Sequence, residues 1–249
     1  MWLAWRHGLY TWMDRVPVRT ELWWWSSRTG TPMDLFWAML GLSVLTFFPL
    51  FAETIYRRRF GRSPSPEMFF FRIFLLTLPF QSVRLILPLL SATFPAASWG
   101  LLAGKISWFS RFIGISALLG SGVFSADIPL RHSGAVLSTA ALAALAVAVM
   151  LPLDVTQMQG NLFFRSRAEE SLALISLSLQ FLGVFSMLGT AILRKNARYG
   201  VLTLSLFSVA VGTDLLYFAT MPLIAPGTIL LILGTIAFSR QIRRIYQWI

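Results

Sequence analysis

Apolar residues run along this chain in long stretches, separated for nearly its whole length by short basic connections. As a helix, a run of about 20 apolar residues crosses the roughly 30 Å hydrocarbon core of a bilayer. Averaged over about 19 residues, the pattern predicts spans at 33–56, 67–90, 98–124, 134–153, 171–193, 199–221 and 224–239. The last is short, but Gln241–Ile249 can continue the same helix into the headgroup region, with Tyr246 and Trp248 as interfacial anchors. The predicted fold is therefore all-α: a polytopic transmembrane bundle of seven helices over 33–249.

Residues 1–32 have a different character. Arg6, His7, Asp14 and Arg15 interrupt every apolar stretch there, and no small-residue cleavage site follows an apolar run, so the segment reads neither as a span nor as a secretory signal. Trp2, Trp5, Leu9, Trp12 and Val16 recur at intervals of three and four, which places an aromatic stripe on one face of a helix that Pro17 ends. Trp23, Trp24 and Trp25 follow just before the first span, where an aromatic belt would sit. The expectation is an interfacial amphipathic segment, acting as a surface anchor or, more specifically, as a lid or partner-docking helix. The connection 154–170 is expected to be the only long polar loop, with the most freedom to bind an external ligand or partner.

Basic residues orient the bundle. With the N-terminus outside, the inner connections hold eleven: Arg57, Arg58, Arg59, Arg62, Arg131, Arg194, Lys195, Arg198, Arg240, Arg243 and Arg244. The outer side holds six, Arg6, Arg15, Arg19, Arg28, Arg165 and Arg167. The positive-inside rule then predicts N-out and C-in, as expected for a bacterial inner or plasma membrane.

Composition narrows the classes further. With 56% hydrophobic and 12% charged residues, the chain has more apolar surface than a soluble domain of 249 residues can bury. Seven spans leave no room for a further soluble domain, so any output is expected from the bundle or from a partner. A net charge of +11 would suit nucleic acid, but the cations gather at span ends, where anionic headgroups attract them; the expected partners are the lipid bilayer and proteins, not nucleic acid. There is no cysteine, which excludes disulfides, thiolate chemistry and Cys-bound zinc. His7 and His132 alone cannot build a metal cluster, and no cofactor is expected.

Four cations fall within spans 2 and 3: Arg72, Arg84, Lys105 and Arg111. Each costs about 2.5–3.5 kcal/mol at a helix centre unless paired, solvated or snorkelling. Arg72 and Glu53 lie near the inner ends of neighbouring spans and are expected to form a structural ion pair. Arg84, Lys105 and Asp214 all lie about 9–10 Å below the outer interface, counting about 1.5 Å per residue, and Arg111 lies near the middle of its span. If these groups converge, an excess of positive charge would accommodate an anion such as a lipid phosphate, a carboxylate or an isoprenoid phosphate. The alternative is that Arg84 and Lys105 snorkel outward and Asp214 compensates Arg111.

Gln81 and Gln180 are further candidate ligand-binding residues. Ser171, Ser176, Ser178, Ser186 and Thr190 in span 5, with Thr203, Ser205, Ser208, Gly212 and Thr213 in span 6, either coat a cavity or serve helix packing. Pro49, Pro79 and Pro88 are expected to loosen spans 1 and 2, freeing carbonyls near Gln81 and Arg84.

Catalytic equipment is sparse. The spans hold many hydroxyls but no histidine, and only Glu53 and Asp214 count as carboxylates within them; HExxH and P-loop motifs are absent. In span count and orientation alone the chain resembles rhodopsin-like receptors and bacterial seven-helix sensors, although residues 224–239 contain no lysine for a Schiff base. Three readings remain: a seven-helix sensor or accessory subunit working through a membrane or cytoplasmic protein partner, a carrier or lipid-handling protein binding an anionic lipid or small anionic ligand, and an intramembrane enzyme.

Overall fold

The computed structural model describes residues 32–60, 65–86, 96–126, 133–158, 162, 164–166, 168–218 and 221–246. Among the described residues, seven helices are long and apolar enough to cross a membrane: α1 (Pro32–Phe60), α2 (Pro66–Gln81), α3 (Ala96–Phe124), α4 (Ser133–Met150), α5 (Glu169–Leu193), α6 (Ala197–Phe218) and α7 (Met221–Tyr246). In α2 the crossing is completed by a 3-10 turn, Val83–Ile86. The Trp-rich interfacial segment expected in 1–32 lies, apart from Pro32, outside the described residues, as do His7, His132, Pro88 and Trp248.

The connection 154–170 is not a simple polar loop. It carries an antiparallel hairpin, β1 (Leu153–Met158) and β2 (Phe164–Ser166), with Asp154 opposite Arg165 and a bulge before Met158. Apolar Leu153, Val155, Met158 and Phe164 supply strand-forming positions inside what reads overall as a polar stretch. Leu162 adopts φ 64° and is 1% exposed, its side chain entering the core. The fourth helix accordingly ends at Met150 rather than 153. Tyr246 at the end of α7 meets Glu67 at the start of α2, and Lys105 in the first half of α3 meets the end of α4; this alternation places the hairpin with the end of α2, the start of α3, the end of α6 and the start of α7 at one end of the bundle, called here the hairpin end. The end of α1, the start of α2, the end of α3, the start of α4, the α5–α6 turn and the end of α7 form the other, the basic end.

Helix α3 is the centre of the bundle, packed against α2, α4 and α5, with 67% of its span buried. Helix α4 is peripheral, packs mainly on α3 and is only 11% buried. Lipid is as apolar as a leucine side chain, so close packing rather than hydrophobic transfer holds such helices together. Glycine makes the closest approaches. On α7, Gly227 and Gly234 are seven residues apart on one face; a Cβ on Gly234 would lie 2.9 Å from the carbonyl oxygen of Ser205, and one on Gly212 of α6 would lie 2.6 Å from the backbone nitrogen of Leu231. Between α3 and α5, Gly122 faces the backbone of Gly183 with no space for a side chain.

Larger side chains fill the rest. Phe71 of α2 stacks on Phe238 of α7 at 4.2 Å between ring centroids, and Tyr56 of α1 donates to the carbonyl of Thr235 at 3.3 Å. Pro49 lies inside α1, which nevertheless runs on to Phe60.

Candidate functional site

Helix α2 begins on a local signal and ends on another. Ser65 accepts a hydrogen bond from the backbone N–H of Met68 at 3.3 Å, with Pro66 in the first turn, a favourable start because proline lacks the N–H that would be orphaned there. Near the other end Pro79 cannot donate to the preceding turn. Two residues later the α-helix stops: the Ser82 hydroxyl donates back to the Pro79 carbonyl at 2.9 Å, and the chain tightens into the 3-10 turn that carries Arg84.

That turn directs Arg84 inward, not outward. Its side chain is fully buried, its Nη2 donates to the carbonyl of Tyr217 on α6, and its guanidinium carbon lies 4.5 Å from the centroid of the Tyr217 ring. Arg111, projecting from α3, places its guanidinium carbon 4.0 Å from the same centroid. Both cations thus meet the electron-rich ring of one buried tyrosine, a contact that gains strength away from water. Trp108, one turn before Phe112 on α3, stands edge-on to Tyr217 at 6.3 Å.

Arg111 also has a formal counter-charge. Its Nη2 lies 3.0 Å from Oδ1 of Asp214, with the arginine side chain 3% and the aspartate side chain 15% exposed. Gln180 of α5 donates to the same Oδ1 at 3.0 Å. A single carboxylate therefore joins α3, α5 and α6, while Arg84 and Tyr217 add α2 to the same polar centre. A buried pair repays its desolvation only with good geometry and further hydrogen bonds, and Gln180 supplies one.

Lys105 does not join this group. Its Nζ donates to the carbonyl of Val149 at 2.9 Å, one of the last carbonyls of α4. The final four carbonyls of a helix lack intrahelical donors and lie at the negative end of its dipole, so the lysine caps α4. Gln81 lies along the α2–α3 seam: its backbone carbonyl accepts from Ser107 at 2.6 Å, and its amide nitrogen reaches Thr77 at 3.4 Å.

The serine and threonine hydroxyls of α6, and Thr190 of α5, turn back on their own helices. Thr190, Thr203, Ser205, Ser208 and Thr213 each donate to the carbonyl four residues earlier. Thr190 additionally meets Ser125 of α3 at 3.0 Å. These five hydroxyls are thus used in helix geometry and packing, whereas the buried Ser176 hydroxyl meets no hydrogen-bond partner among the described residues and Gln180 is the member that reaches the charged centre.

Toward the basic end, Arg72 forms a bidentate ion pair with Glu53, its Nε 3.2 Å from Oε2. The arginine side chain is 45% exposed, which limits the stability the pair contributes.

Counting Glu53 and Asp214 alone as carboxylates within the spans omits Glu67. It is 1% exposed, and the Tyr246 hydroxyl donates to both of its oxygens, at 3.0 and 2.9 Å. Tyr246, expected to be an interfacial anchor, instead fastens the end of α7 to the start of α2. In the sequence Glu67 looks like a helix-start residue, and nothing local marks a tyrosine 179 positions away as its partner. Tyr217 is marked in the sequence only by its place three residues after Asp214, on a neighbouring helical position.

These helices and their buried charges define an integral, multi-pass membrane protein with a polar centre between α2, α3, α5 and α6. No family model matches the chain. A stretch of 79 residues, 32% of the chain, is 35% identical to an uncharacterized protein of Treponema pallidum (strain Nichols). The match covers 23% of that relative, so the chain spans about a quarter of its length.

Proposed function

We propose that the protein is a seven-helix sensor or accessory subunit that works through contacts with a membrane or cytoplasmic protein, oriented N-out and C-in in a bacterial inner or plasma membrane. The observation supporting this reading is that Arg111, the deepest cation, meets Asp214 and Gln180 within the bundle, while Lys105 is directed to the end of α4. The polar centre then acts as a lock fixing the relative positions of four helices. Helix α4, with Leu142 and Val149 facing outward, offers a long apolar face to a neighbour. The excess of basic residues in the connections assigned to the inner side supports the orientation.

A carrier or lipid-handling role is the second reading, favoured by Arg84 and Arg111 flanking one buried ring, where a modest rearrangement would let both face an anionic group. Photocrosslinking from positions 142 and 149 in native membranes separates the two. The subunit reading expects a discrete protein adduct that is lost when the Arg111 and Asp214 pair is broken. Adducts with lipid alone, together with movement of an anion or lipid by the purified protein in vesicles, would sink it in favour of the carrier.

A further inference from the structure

We propose that the basic end of α5, α6 and α7 is a binding site for the phosphate-bearing headgroup of an anionic phospholipid, separate from the Arg111–Asp214 centre. Helix α7 has 26 residues, about 39 Å at 1.5 Å per residue, which exceeds a hydrocarbon core of about 30 Å by roughly six residues. With its start at the opposite boundary, the segment from Arg240 onward lies at headgroup depth. There Ile242 is buried and Ile245 packs on the core, while Arg240, Arg243 and Arg244 are exposed. Their spacing of three and four gathers them on one helical face.

The α5–α6 turn is brought alongside. Arg198 donates to the carbonyl of Arg244 at 3.0 Å, and exposed Lys195 precedes it in a left-handed conformation, φ 48°. Among the described residues Lys195, Arg240, Arg243 and Arg244 form no ion pair. Exposed apolar side chains follow on the same three helices toward the membrane interior: Leu193 is 83% and Ile192 68% exposed beside the turn, and about two turns deeper Leu204 is 64% and Leu233 59% exposed. Cations at headgroup depth above exposed aliphatic side chains match a molecule with a phosphate at one end and acyl chains at the other. An acidic peptide would satisfy the charges and leave that apolar surface uncovered.

The test uses the full chain in uncharged detergent, with retention of added phosphatidylglycerol or phosphatidylcholine read by native mass spectrometry. Phosphatidylglycerol should be retained at a defined stoichiometry and phosphatidylcholine should not. The triple variant Arg240→Gln, Arg243→Gln, Arg244→Gln should lose at least tenfold in retention, the triple lysine variant should keep most of it, and millimolar inorganic phosphate should not displace the lipid. If the triple glutamine variant fails to accumulate, Arg243→Gln alone, at an exposed position, should still weaken retention severalfold. Equal retention by parent and glutamine variants, or equal retention of both lipids, would overturn the proposal. Full displacement by inorganic phosphate would also overturn it, replacing the lipid with a free phosphate as the ligand.

Discussion

Asp214→Asn removes the charge from a carboxylate oxygen that side chains of two other helices approach to 3.0 Å. For unit charges about 4 Å apart at an effective dielectric of 20, the attraction is about 4 kcal/mol. Breaking one side of a buried pair costs about 3–5 kcal/mol, because the remaining charge is left in a poor environment. Here the loss is softened. The asparagine amide oxygen still accepts a hydrogen bond, and the Tyr217 ring 4.0 Å from the guanidinium carbon continues to support Arg111, by about 1–2 kcal/mol.

The expected destabilisation is therefore about 3 kcal/mol. Adding Arg111→Gln removes the stranded cation, so the double variant should lie within about 1–2 kcal/mol of the parent, with a coupling energy of about 2 kcal/mol or more. Reversible unfolding of the detergent-solubilised protein, followed by far-ultraviolet circular dichroism and tryptophan fluorescence, measures all four corners of the cycle. Additive losses in the double variant, or an Asp214→Asn variant as stable as the parent, would refute the pairing argument.

The Glu53–Arg72 pair is half-exposed on its arginine side, so either charge reversal alone should cost about 1 kcal/mol, and reversing both should recover most of it in the same unfolding assay. Gly122→Ala drives a Cβ into the carbonyl of Gly183 and should destabilise the α3–α5 contact by about 1–3 kcal/mol. Gly189→Ala, on the same α5 but with nothing within 4 Å of its new Cβ, should be neutral or gain up to about 1 kcal/mol in helix propensity; equal losses at the two positions would contradict the packing described.

The apolar runs made the seven helices legible because each crossing needs many consecutive apolar residues, a signal spread over the whole element. Local exceptions carried less weight. The hairpin at 153–166 involves few residues and depends on pairing across its turn, while the end of α2 at Gln81 follows from one proline whose effect on a helix varies with its surroundings. For the polar centre, depth placed Arg84 and Asp214 at similar levels, but helix order and rotation are absent from a single sequence. Those decided that Arg111 meets Asp214, that Arg84 turns to Tyr217, and that Lys105 at a comparable depth turns instead to α4. Gln180 stood out only as the longest polar side chain in its span, and Glu67 gave no sign of its bond to Tyr246.

Three crossings, α5, α6 and α7, separate the hairpin from the end of α7 and so require positions 154 and 243 to face opposite sides of the membrane, and single-cysteine labelling measures this directly because the chain has no native cysteine. With Asp154→Cys and Arg243→Cys, a membrane-impermeant maleimide should label position 154 in intact cells and position 243 only after permeabilisation. Labelling of both positions in intact cells, or of neither until permeabilisation, would contradict the seven-crossing bundle; the reverse pattern would keep the bundle and overturn the proposed orientation.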